Sequence, residues 1–333
     1  TESYALGLLE GLRKLNEPAD YKLIINREIN QTGLLGLLGE WDTVLCPVPA
    51  KLRAARYAWE QLILPFQAKQ LSLDLLHSLG YVQPLQLSCR SVVTIHDLNF
   101  HNLSRWMPKS KRVALQFFVS WSASVADHII TVSEFSKSQI VEILGVSEEK
   151  VTVIYNAAKP RSDRKYPFEV MAKKYGLSRP YIFALSSSSP HKNLRSLIKA
   201  FQILKQSLGR LQLVIAGHPP KNWHSETSSN DIIFTGYVPD DLLASLYSYA
   251  EVFVFPSLYE GFGIPLLEAF QYSTPVACSN VAALPEIAGN AACYFDPTNV
   301  EEMAHVIGHL IGDSILRRTL IDRGKTRLSQ FTW

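Results

Sequence analysis

Short apolar runs alternate with stretches of helical spacing along nearly the whole chain of 333 residues. In the first half, Tyr21–Ile25, Thr43–Cys46, Ser91–Ile95, His128–Val132 and Val151–Ile154 are rich in β-branched and aliphatic residues and read as strands. Asp74–His77 carries the same pattern less fully. Helical stretches lie between most of them, and continuous apolar strands separated by helices predict a parallel sheet covered on both faces. From Ala157 to about Leu177 the pattern lapses, through Pro160, Pro167 and the basic Arg161, Arg164 and Lys165. Such a stretch reads as a linker. The alternation then restarts with Tyr181–Leu185, Leu211–Gly217, Asp231–Gly236, Glu251–Phe255, Pro275–Cys278 and Ala292–Phe295. Helical spacing is clear at Leu194, Leu197, Ile198, Phe201 and Leu204, from Asp240 to Tyr249, and in stretches starting at Val300 and Ser314. The expected fold is α/β: two Rossmann-like, doubly wound parallel-sheet domains at 1–158 and 178–333, joined by a linker at 159–177. Ligands of such sheets bind at the carboxyl ends of the strands, and a central cleft facing both domains is the default site. The chain opens inside a helix, with Thr1 as its cap and Tyr4, Leu8, Leu12 and Leu15 on one face, and it stops at Gln330–Trp333. An α/β domain normally starts with a strand, so a missing first strand and truncation at both ends are expected.

The richest stretch is Ser257–Glu268. An apolar strand runs into a turn with glycines on either side of Phe262; Pro265 and then Leu266, Leu267, Ala269 and Phe270 follow at helical spacing. Pro265 is expected at the first helical position, for which proline is pre-organised, and the unpaired N–H groups of a helix start attract anions. Gly261 and Gly263 let a ligand approach the backbone. Glu260 and Glu268, one before the turn and one inside the helix, are acceptors suited to pairs of sugar hydroxyls. The pattern fits a nucleotide-sugar site, and it also fits an ordinary βα turn with two surface glutamates.

Composition narrows the function class only a little. Hydrophobic residues make up 47% and charged residues 19%, enough for two cores. A net charge of +3 gives no footprint for nucleic acid. Cys46, Cys89, Cys278 and Cys293 are far apart, with no zinc-like spacing, so free thiols and no metal are expected. No apolar run reaches the roughly 18 residues that a bilayer span needs, and no signal peptide is visible. A cytoplasmic location follows as an expectation.

Other candidates sit at strand ends. His96 and Asp97 follow the Ser91 strand directly, where a His-Asp pair suggests a site. Ser133 and Lys137 follow the next strand, where either could face the cleft; Asp97 and Ser133 are the acceptor-side candidates, although capping a helix is the commoner role of a serine so placed. Lys192, at a helix start after a strand, could pair with a phosphate or be a solvated surface lysine. Trp59, Leu62, Ile63 and Phe66 share a helical face below Lys51, Arg53 and Arg56. A second region runs from Arg105 and Trp106 through Lys109, Lys111 and Arg112 to Phe117, Phe118 and Trp121. These could form a basic, aromatic lip for a membrane surface or an anionic acceptor. A core helix with a solvated charged face is the commoner arrangement, and it is the expectation here.

Glu260-Gly-Phe-Gly-Ile-Pro-Leu-Leu-Glu268 resembles the signature of the retaining glycosyltransferases of family 4, which have the GT-B fold. Pro190–Leu194, Ala216-Gly217, Phe234–Val238 and Pro256-Ser257 match that pattern in order, and Val93–Asp97 and Thr131–Ser133 are similar to its N-terminal landmarks. The resemblance covers essentially the whole chain. It implies that Glu260 holds the transferred sugar with backbone groups of Gly261, Phe262 and Gly263. Glu268 would hold the ribose, Lys192 would neutralise the leaving diphosphate, Val238 would lie by the base and His96 would line the reaction centre. No metal or other cofactor is implied, since lysine and a helix start can stabilise the departing phosphate. Three departures stand out. Ser187 takes the place of an arginine common five positions before the lysine, Asn156-Ala157 replaces Asn-Gly, and the usual terminal segments are absent.

The implied activity moves a hexose, of mannose or glucose type, from a nucleotide diphosphate sugar to a glycan or lipid-linked acceptor. The enzyme would be cytoplasmic, with a peripheral contact at the inner face of a membrane. A nucleotide-sugar epimerase and a non-catalytic nucleotide-sugar binding protein are the alternatives. Glycoside hydrolysis by the two glutamates is disfavoured, because a hydrolase needs no diphosphate cradle.

Overall fold

A computed structural model of the chain describes residues 2–15, 18–26, 28, 41–49, 51–102, 108–159, 165–187, 189–220, 223 and 229–333. Thr1, Arg105, Trp106, Pro160, Arg161 and Arg164, singled out above, lie outside the described residues. The described chain divides into two compact units. The first holds 1–96, 113–130 and 141–152, and the second holds 97–112, 131–140 and 153–333. This differs from a cut at 158, because segments after β-strands of the first half belong with the second unit.

Every strand read from the sequence is present, with ends shifted by no more than two residues. Lys22–Asn26 (β1) and Asp42–Cys46 (β2) pair in parallel. Leu75–Ser78 (β3), Arg90–Thr94 (β4), His128–Thr131 (β5) and Val151–Val153 (β6) form a separate four-stranded sheet in that order. The single sheet expected for this half is thus two sheets among the described residues. They share a core, since Cys46, Trp59, Leu64 and Leu76 form one buried cluster. The helices here are Glu2–Leu15 (α1), Arg53–Leu62 (α2), Leu64–Gln70 (α3), Asn99–Asn102 (α4), Lys109–Val125 (α5) and Glu134–Leu144 (α6).

The expectation of core helices with only charged faces exposed is overturned. The helix breaks at Ile63, because Pro65 in the first turn of α3 cannot donate to the preceding turn. Trp59, Leu64 and Ala68 turn inward, while Leu62 (74%), Ile63 and Phe66 face solvent. On α5, Val113, Phe117, Trp121 and Val125 form an exposed stripe at four-residue spacing. Phe118 stacks on Tyr57 at 5.7 Å and joins α5 to α2.

The second unit contains Phe168–Tyr175 (α7), Leu194–Leu208 (α8), Asp240–Tyr249 (α9), Ile264–Gln271 (α10), Leu284–Ala288 (α11), Val300–Gly312 (α12) and Ser314–Leu328 (α13). Tyr181–Leu185 (β7), Gln212–Ala216 (β8), Ile232–Phe234 (β9), Val252–Phe255 (β10), Val276–Ser279 (β11) and Ala292–Phe295 (β12) form its parallel sheet. Their order is β12-β11-β10-β7-β8-β9. That is the doubly wound order, and its reversal lies between β7 and β10. β7 and β10 are buried throughout or nearly so, as strands covered on both faces must be. The stretch expected to be a linker contains α7, whose Met171 is fully buried and joins Leu177 in the core of this unit.

Candidate functional site

Strand order directs attention to the carboxyl ends of β7 and β10, where a doubly wound sheet opens a crevice for ligands. Lys192 follows β7 through a 3-10 turn at Pro190–Lys192, and Glu260 follows β10. The structure brings these two together: Lys192 Nζ lies 2.6 Å from Glu260 Oε1. The same ammonium sits 5.2 Å from the centre of the Phe255 ring. Leu258 N–H donates to the His191 carbonyl at 2.8 Å, tying the loop after β10 to the loop after β7. Asn193 adopts the left-handed conformation, and its side-chain amide donates to the Pro297 carbonyl at 2.7 Å. Ser187, at the place of the expected arginine, accepts a hydrogen bond from the Ser189 N–H and brings no charge. Arg195 lies over the Trp223 ring.

Beyond Glu260 the chain turns through Gly261, Phe262 and Gly263 into α10. Gly263 has φ +115°, and a Cβ there would meet Leu284 Cδ2 at 3.0 Å and Leu266 Cδ1 at 3.2 Å. Pro265 is the second helical residue, one later than the position expected for it. Among the described residues, the N–H groups of Gly261, Phe262 and Gly263 meet no protein acceptor. Phe262 is buried, with its ring against Phe331 and Tyr155. The Ser257 hydroxyl, at the carboxyl end of β10, is buried and has no hydrogen-bond partner among the described residues. Free donors, a lysine and a helix start converging here can hold an anion, with a carboxylate beside it to accept from hydroxyls.

Glu268 lies on α10 and accepts a hydrogen bond from the Tyr247 hydroxyl at 3.0 Å. Burial pushes its carboxyl pKa up, against the opposing pull of that hydrogen bond and of Lys159. Tyr247 is fully buried, its ring stacked on Tyr272. The Val238 side chain packs into the core of this unit, while the adjacent Tyr237 is 80% exposed.

Ser133 does not fit an acceptor-side role. It is fully buried, caps α6 through the Ser136 N–H at 3.0 Å, and donates to the Gly261 carbonyl at 2.7 Å. Asp97 accepts from the Asn99 N–H at the start of α4. Tyr259, next to Glu260, receives the Leu98 N–H on its hydroxyl oxygen at 3.4 Å, and burial and the Asp97 charge push its pKa up to about 12. Lys192, Glu260, the glycine turn, Glu268, Val238, Ser133 and Asp97 all belong to the second unit.

His96 belongs to the first unit. Its Nε2–H donates to the Leu79 carbonyl at 3.0 Å, and its ring meets Tyr4 edge-on at 4.8 Å. Burial, opposed by the bond to Leu79, lowers its pKa to about 4, so the ring is neutral at pH 7.

Sequence reasoning missed Tyr247, Ser136 and Glu286. Glu286, from α11, accepts the N–H groups of Glu134 and Phe135 at 2.7 and 3.0 Å, a carboxylate cap on α6 supplied from 151 or more residues away. No local pattern signals such partners.

Residues 168–327 match the family described as Glycosyl transferases group 1, and residues 40–162 match Glycosyltransferase Family 4. O-antigen chain mannosyltransferase B of Escherichia coli is 32% identical over 77% of this chain and 70% of its own length. Among solved structures, WaaG, a glycosyltransferase involved in lipopolysaccharide biosynthesis, superposes with a TM-score of 0.71 at 15% identity, over 98% of this chain and 91% of WaaG. Anabaena HepE in complex with UDP and glucose gives 0.67 at 18% identity, over 89% of this chain and 84% of HepE. With the reversal of strand order, the glycine turn and both glutamates in their places, the chain belongs to the family 4 glycosyltransferases of GT-B fold.

Proposed function

We propose that this hexosyltransferase takes a mannosyl or glucosyl group from a nucleotide diphosphate sugar and passes it, with retention and without a metal ion, to a glycan or lipid-linked acceptor. The observation that carries the reading is the Lys192–Glu260 pair at the reversal of strand order, beside backbone N–H groups that meet no protein acceptor among the described residues. On donor binding, Lys192 Nζ leaves Glu260 for the diphosphate, and the freed carboxylate accepts from sugar hydroxyls. The turn N–H groups add donors to the same anion, and Glu268, held by Tyr247, accepts from the ribose. In transfer, the bond from the anomeric carbon to the phosphate oxygen breaks. The acceptor oxygen bonds to the same face of that carbon, and the leaving phosphate takes the acceptor's proton. The identity of the E. coli relative as a mannosyltransferase favours mannose, and the UDP in the HepE structure matches the class of ligand these groups suit.

Peripheral membrane contact is part of the same reading. Leu62, Ile63 and Phe66, together with the α5 stripe, expose apolar surface, and Lys109 and Lys111 lie exposed at the start of α5. Apolar side chains bordered by lysines suit the inner face of an anionic membrane. Among the described residues no helix is long and apolar enough to cross one.

A thermal-shift screen of nucleotide sugars tests the donor site, because a ligand at 100 times its Kd stabilises by about 2.7 kcal/mol. A GDP- or UDP-sugar should raise the Tm where the free sugar does not. Donor turnover that requires added acceptor supports transfer. Turnover without acceptor, or no shift with any nucleotide sugar at millimolar concentration, would contradict it.

A further inference from the structure

Two fully buried hydroxyls converge on one carbonyl of the glycine turn. Ser133 Oγ lies 2.7 Å and Ser136 Oγ 3.2 Å from Gly261 O. Capping explains only part of this arrangement. A serine before a helix caps it by accepting an N–H, as Ser133 does from Ser136. A serine within a helix ordinarily bonds back to its own helix, and the Ser136 hydroxyl also reaches the carbonyl of Gly261, outside that helix. The start of α6 does not depend on these hydroxyls alone either, because Glu286 takes the Glu134 and Phe135 N–H groups.

The consequence lies in the peptide group that follows. A trans peptide is planar, so the carbonyl of Gly261 and the N–H of Phe262 point in opposite directions. Two donors on that carbonyl fix the plane and aim the Phe262 N–H away from α6. Without them, a peptide between Gly261 and a residue followed by Gly263 could rotate, since glycine permits many backbone conformations. We propose that Ser133 and Ser136 are positioning residues for sugar transfer: together they lock the Gly261–Phe262 peptide so that its N–H stays presented to the diphosphate of the donor. This rests on the reading that the glycine turn binds the donor.

The test compares Ser133→Ala, Ser136→Ala, Ser133→Thr and Glu286→Gln in the full chain. GDP, UDP, guanosine and uridine are titrated by calorimetry, with kcat and KM for the donor measured alongside. The two alanine variants should each bind the preferred diphosphate about tenfold more weakly, as expected for one lost hydrogen bond to a positioned group. Nucleoside affinity should be unchanged, and Ser133→Thr, which keeps the hydroxyl, should stay near wild type. Glu286→Gln should lower the Tm without altering the ratio of diphosphate to nucleoside affinity. Ser136→Ala keeps the capping bond, so it decides the matter even where Ser133→Ala does not fold. Diphosphate affinity unchanged in both alanine variants, or an equal loss in Glu286→Gln, would overturn the proposal and leave the serines as caps. A wild-type chain that binds neither GDP nor UDP would overturn the donor-site reading itself, and the proposal with it.

Discussion

Replacing Gly263 by alanine perturbs the turn at its least tolerant point. With φ at +115°, the residue occupies backbone space that L side chains rarely adopt. Holding a side chain there costs about 1–3 kcal/mol. The new Cβ would also lie 3.0 Å from Leu284 Cδ2 and 3.2 Å from Leu266 Cδ1. Both leucines are fully buried, so neither can swing into solvent to make room. Crowding of this kind in a packed core adds about 1–3 kcal/mol. The sum, about 2–6 kcal/mol, should lower the Tm by roughly 5–20 °C for a unit of this size. Scanning calorimetry reads that shift. A nucleotide titration on the same protein should show donor affinity falling too, because the turn N–H groups move with Gly263. A Gly263→Ala protein that melts within about 2 °C of wild type would refute the argument.

Other consequences can be checked more simply. Lys192→Ala should weaken GDP or UDP by about 10- to 100-fold, the worth of a charge-assisted bond, while guanosine or uridine affinity changes little; calorimetry finding equal losses would count against the phosphate role. The His96 ring should titrate near pH 4 by NMR, against an ordinary 6.5. Because its folded pKa is lowered, the stability it contributes is present above pH 6.5 and is lost as the pH falls toward 4; an NMR midpoint near 6.5 would contradict its burial. Phe117→Ser combined with Trp121→Ser should reduce sedimentation with vesicles rich in anionic lipid by severalfold, and unchanged sedimentation would remove that face from the membrane.

Much of the fold was legible because its strands are short, apolar and β-branched, a pattern that names buried parallel strands without knowledge of their partners. The order in which they pair was not legible from any one of them, yet that order places the ends of β7 and β10 side by side. α7 was overlooked although Phe168, Met171 and Tyr175 have helical spacing and Gly176 closes the helix in the left-handed conformation. Prolines and basic residues around it gave the stretch the look of a linker. The α2–α3 face was misread for the opposite reason. Its spacing implied one inward stripe, and Pro65 breaks the helix so that most of the stripe faces out.

In the site, Lys192, Glu260, the glycines and Glu268 were legible because local chemistry marks them. The position of Ser133 marks it as a helix cap, which it is, but nothing local marks its second bond, to the Gly261 carbonyl. Its bond to Gly261 joins residues 128 positions apart, and the Tyr247–Glu268 pair depends on two helices packing. Contacts of that kind arise only when the sheet has folded.

The most direct test of the donor site is a crystal structure of the chain soaked with GDP or UDP. The diphosphate should lie within hydrogen-bonding distance of Lys192 Nζ and the Phe262 and Gly263 N–H groups, with the ribose on Glu268 and the Lys192–Glu260 bond broken. A nucleotide bound elsewhere, with Lys192 still on Glu260, would contradict the account.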